Sequence, residues 1–286
     1  MPYKVTDCRD LQASQLCGAM NAAFSDYVVP LSLTEGKFRD FQKQRGFSAE
    51  HSFVAMAGDE IAAFWFSSPP LPSYENHAYT LSVGTAPAHR RKGLSRELLQ
   101  RVIDRQKPNA GQGLQLEVIT TNEKAVQAYQ DFGFETRRTL RVCRTAGKRP
   151  GLAPERDFIL EEVPVDRLPG DESAFFDVQP TPQNSRAALR GLLETSHVLG
   201  VRINGSFAGW GASYGDGSVA QVAVHKEFRR RGAGHALLNG LWDKTGADQL
   251  TFVNVDVAAE GVNAFLDRYG VEDRVHQLEM RLTFKD

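Results

Sequence analysis

The chain has 286 residues, 41% of them hydrophobic and 24% charged, which is length and apolar content for about two globular domains, each with its own core. A formal net charge of −1 argues against a general nucleic-acid binder, whose domain is ordinarily strongly basic. Cys8, Cys17 and Cys143 show no metal-ligand spacing, and no apolar leader or long apolar run occurs, so a cytoplasmic protein with reduced thiols, no bound metal and no membrane span is expected.

In chain order, the first strong signal is a hairpin: Ser52–Ala57, a turn at Gly58-Asp59, then Ile61–Ser67, followed by a strand over His77–Thr85. Next comes an arginine-glycine segment, Arg90-Arg91-Lys92-Gly93-Leu94-Ser95, leading into a helix marked by Leu98, Leu99, Val102 and Ile103. A strand that turns through such a segment into a helix can cradle an anion. Glycine admits the backbone closely, the first helical N–H groups are unpaired, and the dipole favours negative charge. A strand over Leu114–Ile119 follows, then a helix over Asn122 to Phe132 closed by Gly133. Gly147, Pro150, Gly151 and Pro154 interrupt periodicity, which places a boundary in Thr145–Asp157. The nearby basic run of Arg137, Arg138, Arg141, Arg144, Lys148 and Arg149 reads as a solvated strand face.

The second half repeats the first. Val198–Ile203 turns at Asn204-Gly205 into Phe207–Tyr214, a strong hairpin signal, and Ser218–Val224 follows. Then come Arg229-Arg230-Arg231-Gly232-Ala233-Gly234 and a helix with Leu237, Leu238 and Leu241. Arg90 and Arg229 lie 139 positions apart (229 − 90), and Gly133 and Gly270 lie 137 apart (270 − 133). Near-equal offsets at distant landmarks mean duplicated domains, here 1–146 and 158–286 joined by a linker at 147–157. Strands mixed with helices at this spacing give an α/β or α+β sheet class. Gly209-Trp-Gly211 begins like a dinucleotide fingerprint, but it lies inside a strand and its third glycine comes one residue late, so it reads as close backbone packing.

The arginine-glycine loop, followed by a strand and then Asn122-x-x-Ala125-x-x-x-Tyr129-x-x-x-Gly133-Phe134, resembles the GNAT family of acetyl-coenzyme A-dependent N-acetyltransferases. The resemblance spans roughly Ser52 to Arg144 and, more weakly, Val198 to Leu282. It implies two tandem GNAT domains, each a mixed, mostly antiparallel twisted sheet flanked by helices. It also implies acetyl-coenzyme A as cofactor and direct transfer of acetyl to a primary amine of a small molecule or peptide. A monomer or homodimer that binds neither nucleic acid nor membrane is expected. By position, Val83, Gly84 and Thr85 would pair with the pantetheine arm, a backbone N–H near Val83 or Gly84 would serve as oxyanion donor, and Arg90 through Ser95 would hold the pyrophosphate, with Asn122 beside them. Val224 and Arg229 to Gly234 would do the same in the second half.

The same resemblance, which extends to the ribosomal-protein N-terminal alanine acetyltransferases at Leu116-Glu117-Val118, makes Tyr129 the general acid and Glu117 the general base. By alternation Glu117 faces away from the apolar row Leu114, Leu116 and Val118, a position where a glutamate is ordinarily solvated. Asn122 also suits a helix cap, and the Tyr129 ring suits packing. In the second half Ala259 stands at the Asn122 position and Leu266 at the Tyr129 position, with Tyr269 nearby, so the first domain is expected to be the catalytic one. Family members choose acceptors through the first two helices, where Phe24 and Tyr27 would form a wall and Asp26 or Glu35 would hold a cation. A non-catalytic acetyl-coenzyme A sensor is the alternative.

Overall fold

The structure is a computed structural model that describes residues 3–26, 32–147 and 158–285. Its first half runs β1 (Lys4–Asp7), α1 (Ala13–Ala23), α2 (Glu35–Arg45), β2 (Phe53–Ala57), β3 (Glu60–Leu71), β4 (His77–Thr85), α3 (Leu94–Gln106), β5 (Gly113–Ile119), α4 (Glu123–Asp131) and β6 (Glu135–Thr145). The second continues with β7 (Ile159–Glu162), α5 (Arg186–Gly191), β8 (Ser196–Ile203), β9 (Ser206–Tyr214), β10 (Ser218–Val224), α6 (Ala233–Thr245), β11 (Thr251–Asp256), α7 (Glu260–Tyr269) and β12 (Val271–Thr283). Both predicted hairpins form. Asn204 and Gly205 take φ of 52° and 80°, the two left-handed residues that match the twist of the flanking strands. The expected linker lies outside the described residues apart from Gly147, and so does Tyr27.

Two compact units result, and neither is one continuous piece of chain. The N-terminal unit takes Met1–Val118, Asn122–Arg137 and Glu279–Asp286; the C-terminal unit takes Ile119–Thr121 and Arg138–Leu278. In the N-terminal unit the strands run β1-β2-β3-β4-β5, and the end of β12 lies beside β5. The C-terminal unit has β7-β8-β9-β10-β11, with the end of β6 beside β11. In each, one parallel pair interrupts antiparallel neighbours: β4 with β5, and β10 with β11. A parallel pair needs a crossover, and α3 and α6 supply it. They bury Leu98, Leu99 and Val102 in one unit, and Leu237, Leu238 and Leu241 in the other.

A second correspondence is written in the hydrogen-bond ladder. Between β3 and β4 the register slips at Leu81, because Phe66 pairs with Ser82 and Ser67 with Thr80. Between β9 and β10 it slips at Ala220, because Ser213 pairs with Val219 and Ala212 with Gln221. The two bulges are 139 positions apart (220 − 81), the same offset as the arginine-glycine loops. A bulge bends its strand and re-aims the residues beyond it, so both loops leave their sheets in the same way.

The N-terminal core joins Leu16, Phe38, Phe64, Phe66, Tyr79 and Leu81. In the C-terminal unit one cluster holds Leu237, Leu241, Phe252 and Leu266, and another holds Leu189 and Trp210. Gly209 is indeed a packing glycine, since a Cβ there would fall 2.2 Å from the Ala223 carbonyl oxygen. The basic run meets the expectation in part: Arg137 and Arg144 are exposed, Lys148 and Arg149 lie outside the described residues, and the other two depart from it. Arg141 is only 8% exposed, and its guanidinium donates to Asp273, Asp267 and Asn263 at 2.7–3.0 Å. Arg138 donates to the Gln179 carbonyl and to Asp256. These arginines bind the β6 segment into the C-terminal unit and do not form a solvated face.

Candidate active site

The two arginine-glycine loops have the same backbone. Arg91 and Gly93 take φ of 61° and 77°, and Arg230 and Gly232 take 64° and 93°. Left-handed residues alternating with ordinary ones turn successive N–H groups toward one side, making a concave anion seat at the start of the helix that follows. Gly93 and Gly232 are the N-cap residues of α3 and α6, and the left-handed conformation explains their type.

The leading arginines behave differently from the sequence expectation. Arg90 donates through Nε to the Thr85 carbonyl, through Nη2 to the Ala23 carbonyl, and in a forked pair to Asp26 at 2.6 and 2.7 Å. Arg229 repeats this, donating to the Val224 carbonyl, the Phe175 carbonyl and Asp177. The hydrogen bond from Arg90 holds the Asp26 carboxyl below its ordinary range. Each arginine thus braces the strand end against an upstream segment. The anion seat is made of backbone, and Asp26 has a partner other than a cationic substrate. Glu35 likewise pairs with Arg39, one helical turn on.

Beside each seat the parallel strands part. The β4–β5 ladder joins His77–Tyr79 to Gly113–Gln115, and the β10–β11 ladder joins Ser218–Val219 to Thr251–Phe252. Val83, Gly84 and Thr85 therefore lie past the last β5 pairing, held from the β3 side by Trp65, Phe64 and Ala63. In the C-terminal unit the wedge opens into a cavity of about 440 Å³ lined by Phe175, Val222, Val255, Phe265, Leu266 and, from the loop, Arg229, Arg230 and Gly232 to Gly234.

The positions expected from the sequence to handle protons differ between the units. Glu117 is not a solvated strand residue. It is partly buried, and the fully buried Tyr79 hydroxyl donates to its Oε2 at 2.5 Å. Burial, and then the Glu117 charge, hold the Tyr79 phenol well above its ordinary range, so it stays a donor; Arg45 of α2 also bonds to this hydroxyl. Tyr129 of α4 is half-buried, its ring edge-on to Trp65 and to Phe134. In the C-terminal unit the ladders match Gln115 with Thr251, which puts Val253 at the Glu117 position, and the neighbouring Asn254 is bonded to Thr181 and Gln277. Leu266 there is 1% exposed in the core, and the Tyr269 hydroxyl donates to Asn239.

Asn122 is the N-cap of α4, its side chain accepting from the Ala125 N–H at 3.2 Å. Phe24 caps α1 and packs against Phe64 with ring centroids 6.4 Å apart. Sequence reasoning missed Tyr79, Asp26 as the brace of Arg90, and Asp177. Tyr79 reads as one more aromatic in an apolar strand. The Asp177 brace carries no local signal, because it lies 52 positions from its arginine.

The family model described as the acetyltransferase (GNAT) family matches residues 19–134, and the acetyltransferase (GNAT) domain model matches residues 166–273. No curated protein matches the sequence. Among solved structures, a putative acetyltransferase from Pyrococcus horikoshii is similar at TM-score 0.71 and 14% identity, over 99% of this chain and 90% of its own. A GCN5-related N-acetyltransferase from Sphaerobacter thermophilus is similar at TM-score 0.70 and 18% identity, over 99% and 96%. A tandem GNAT protein from the clavulanic acid biosynthesis pathway is similar at TM-score 0.66 and 14% identity, over 100% and 99%. At these identities the likeness is one of fold.

Proposed function

Because the chain belongs to the GNAT acetyltransferase family, with two of its domains in tandem, we propose that its N-terminal unit transfers acetyl from acetyl-coenzyme A to a primary amine while both substrates are bound. The observation that carries this reading is the Tyr79–Glu117 hydrogen bond, a carboxylate with one oxygen fixed by a buried donor. The corresponding stretch of β11 in the other unit has Val253 and Asn254 and offers no carboxylate there. The residues around the first loop fit the cofactor: left-handed Arg91 and Gly93 shape a backbone seat for its pyrophosphate, and Val83 to Thr85 offer it a strand end past the β5 ladder. Acetyl-coenzyme A supplies an activated thioester when bound.

The chain's part is to place the amine and move its protons. Glu117, or a water that it orients, takes the proton that an ammonium must lose before attack. Tyr129 returns a proton to the departing sulfur. Positioning of the two substrates supplies a large share of the rate. Candidate acceptors include a peptide N-terminus, a polyamine and a small amino compound, and cytoplasmic location belongs to the same reading. Among the described residues no helix is long and apolar enough to cross a membrane.

The C-terminal cavity favours a second role for that unit, binding acetyl-coenzyme A without turnover. The same seat is there, but the wedge beside it ends on Leu266. Calorimetric titration of acetyl-coenzyme A into wild type, Gly93→Glu and Gly232→Glu tests both readings, since each substitution adds bulk and negative charge to one seat at a left-handed position. Loss of the catalytically competent binding with Gly93→Glu supports transfer in the N-terminal unit. If only Gly232→Glu changes the titration, the catalytic assignment fails and the sensor reading takes its place. Tyr129→Phe should slow transfer by about 10²–10⁴-fold while cofactor affinity stays near wild type. Turnover at the wild-type rate would remove Tyr129 as the acid.

A further inference from the structure

The end of the chain reaches the same polar face that holds Glu117. The Phe284 N–H donates to the Gln112 carbonyl, and the Thr120 N–H donates to the His276 carbonyl. Both pairs add to 396 (112 + 284 and 120 + 276), which fixes one antiparallel register for β5 and β12. In that register Glu117 stands opposite Glu279, and Gln115 opposite Arg281. The bonded pairs fall on even-numbered β5 residues, so 117 with 279 is a non-hydrogen-bonded pair, the kind whose side chains approach most closely. Both residues belong to the N-terminal unit, as do Tyr79 and Arg45.

Three elements thus bring charged or titratable groups toward Glu117. Tyr79 of β4 donates to it, Glu279 and Arg281 come from β12, and Arg45 of α2 reaches it through Tyr79. Glu279 is 3% exposed, with Arg281 beside it at 3.9 Å; Arg281 in turn meets Glu75 at 3.5 Å. On the same strand face Gln115 is 1% exposed, and neither its amide nitrogen nor its oxygen has a partner. Two carboxylates directly across a ladder repel, and buried unmet amide groups are destabilising. A cluster arranged only for stability would avoid both.

We propose that Tyr79 and Glu279 are positioning residues that hold Glu117 in place and set its readiness to take a proton. The proposal rests on the reading of Glu117 as the base. Tyr79 favours the ionised carboxylate by donating to it, whereas the Glu279 charge disfavours it, so the two act in opposite directions on one group. A residue with a structural role alone would change stability and leave that balance where it was.

The test is carboxyl-carbon NMR titration of the full chain labelled with ¹³C-glutamate, with Glu117→Gln used to assign the signal. Tyr79→Phe should raise the Glu117 midpoint by about one pH unit and Glu279→Gln should lower it by about as much. Glu279→Asp, which restores a carboxylate, should return it toward wild type and also stands in should Glu279→Gln fail to fold. Unchanged acetyl-coenzyme A affinity certifies each variant. A midpoint unmoved in both variants overturns the proposal, and a midpoint unmoved in one removes that residue from it. This outcome is separable from the function itself. Opposed shifts without transfer to an alanyl peptide, spermidine or glucosamine would sink the acetyltransferase reading alone, and transfer with unmoved midpoints would sink only the positioning roles.

Discussion

Gly84→Ala is the substitution whose cost the structure specifies most closely. A Cβ at Gly84 would lie 2.6 and 2.7 Å from two ring carbons of Phe64 and 2.8 Å from the Ala23 methyl. Ordinary contact begins near 3.4 Å, so something must move by more than half an ångström. Neither neighbour can retreat freely. Phe64 is fully buried and stacked on Phe66 with centroids 4.2 Å apart, and Ala23 is the last residue of α1. Overpacking of this kind costs about 1–3 kcal/mol. Native-state hydrogen exchange by mass spectrometry reads this locally, because β3 and β4 peptides report the N-terminal unit alone. Exchange there should quicken by about 5- to 160-fold, at 1.36 kcal/mol per decade. Phe64→Leu trims the ring that blocks the new methyl group, so the double variant should be less damaged than the two singles predict, with a coupling of about 0.5–3 kcal/mol. Additive effects, or unchanged protection in Gly84→Ala, would refute the argument that the Phe64 ring dictates glycine at this position.

Arg141→Met should weaken the C-terminal unit by about 1.5–3 kcal/mol, because charge-assisted bonds to Asp273, Asp267 and Asn263 are lost together; exchange in α7 peptides checks it. Asp177→Asn should change stability by less than about 1 kcal/mol, since the Arg229–Asp177 pair is about one-third exposed and Arg229 keeps two carbonyl partners. Urea unfolding of the variant measures it. Burial holds the His51 and His77 imidazoles below their ordinary range of about 6.5. The unfolded chain therefore takes up protons that the folded unit refuses, and stability should decline as pH falls below about 6.5. A pH series of urea midpoints, with a shallower decline in His51→Gln, checks the sign.

What the sequence displayed was what local chemistry encodes. The two loops were legible because a helix entered through left-handed backbone needs glycine at fixed positions, and Gly93 and Gly232 answer to that need. The hairpin at Asn204-Gly205 was legible for the same reason. The difference between Tyr129 and Leu266 at matching positions could also be read, and the proposed catalytic asymmetry rests on it. What stayed hidden depends on partners distant in sequence. Arg90 reads as a free cation at the loop until Asp26 is seen to pair with it, and Glu117 reads as solvated until Tyr79 is seen to donate to it. Arg141 of β6 looked like part of a solvated face, since nothing near it in sequence reveals that its acceptors lie on α7 and β12.

The exchange of strand segments also sets an order of events during synthesis. The unit that begins first cannot close its sheet until Glu279–Thr283 has been made, 142 residues after Arg137 (279 − 137). At translation rates of about 5–20 residues per second, that is a delay of about 7–28 s. Throughout it the strand edge of β5 and the half-built face around Glu117 wait for their neighbour. The second unit receives its β6 segment before its own residues emerge, so the half of the protein made last is the one able to finish without delay.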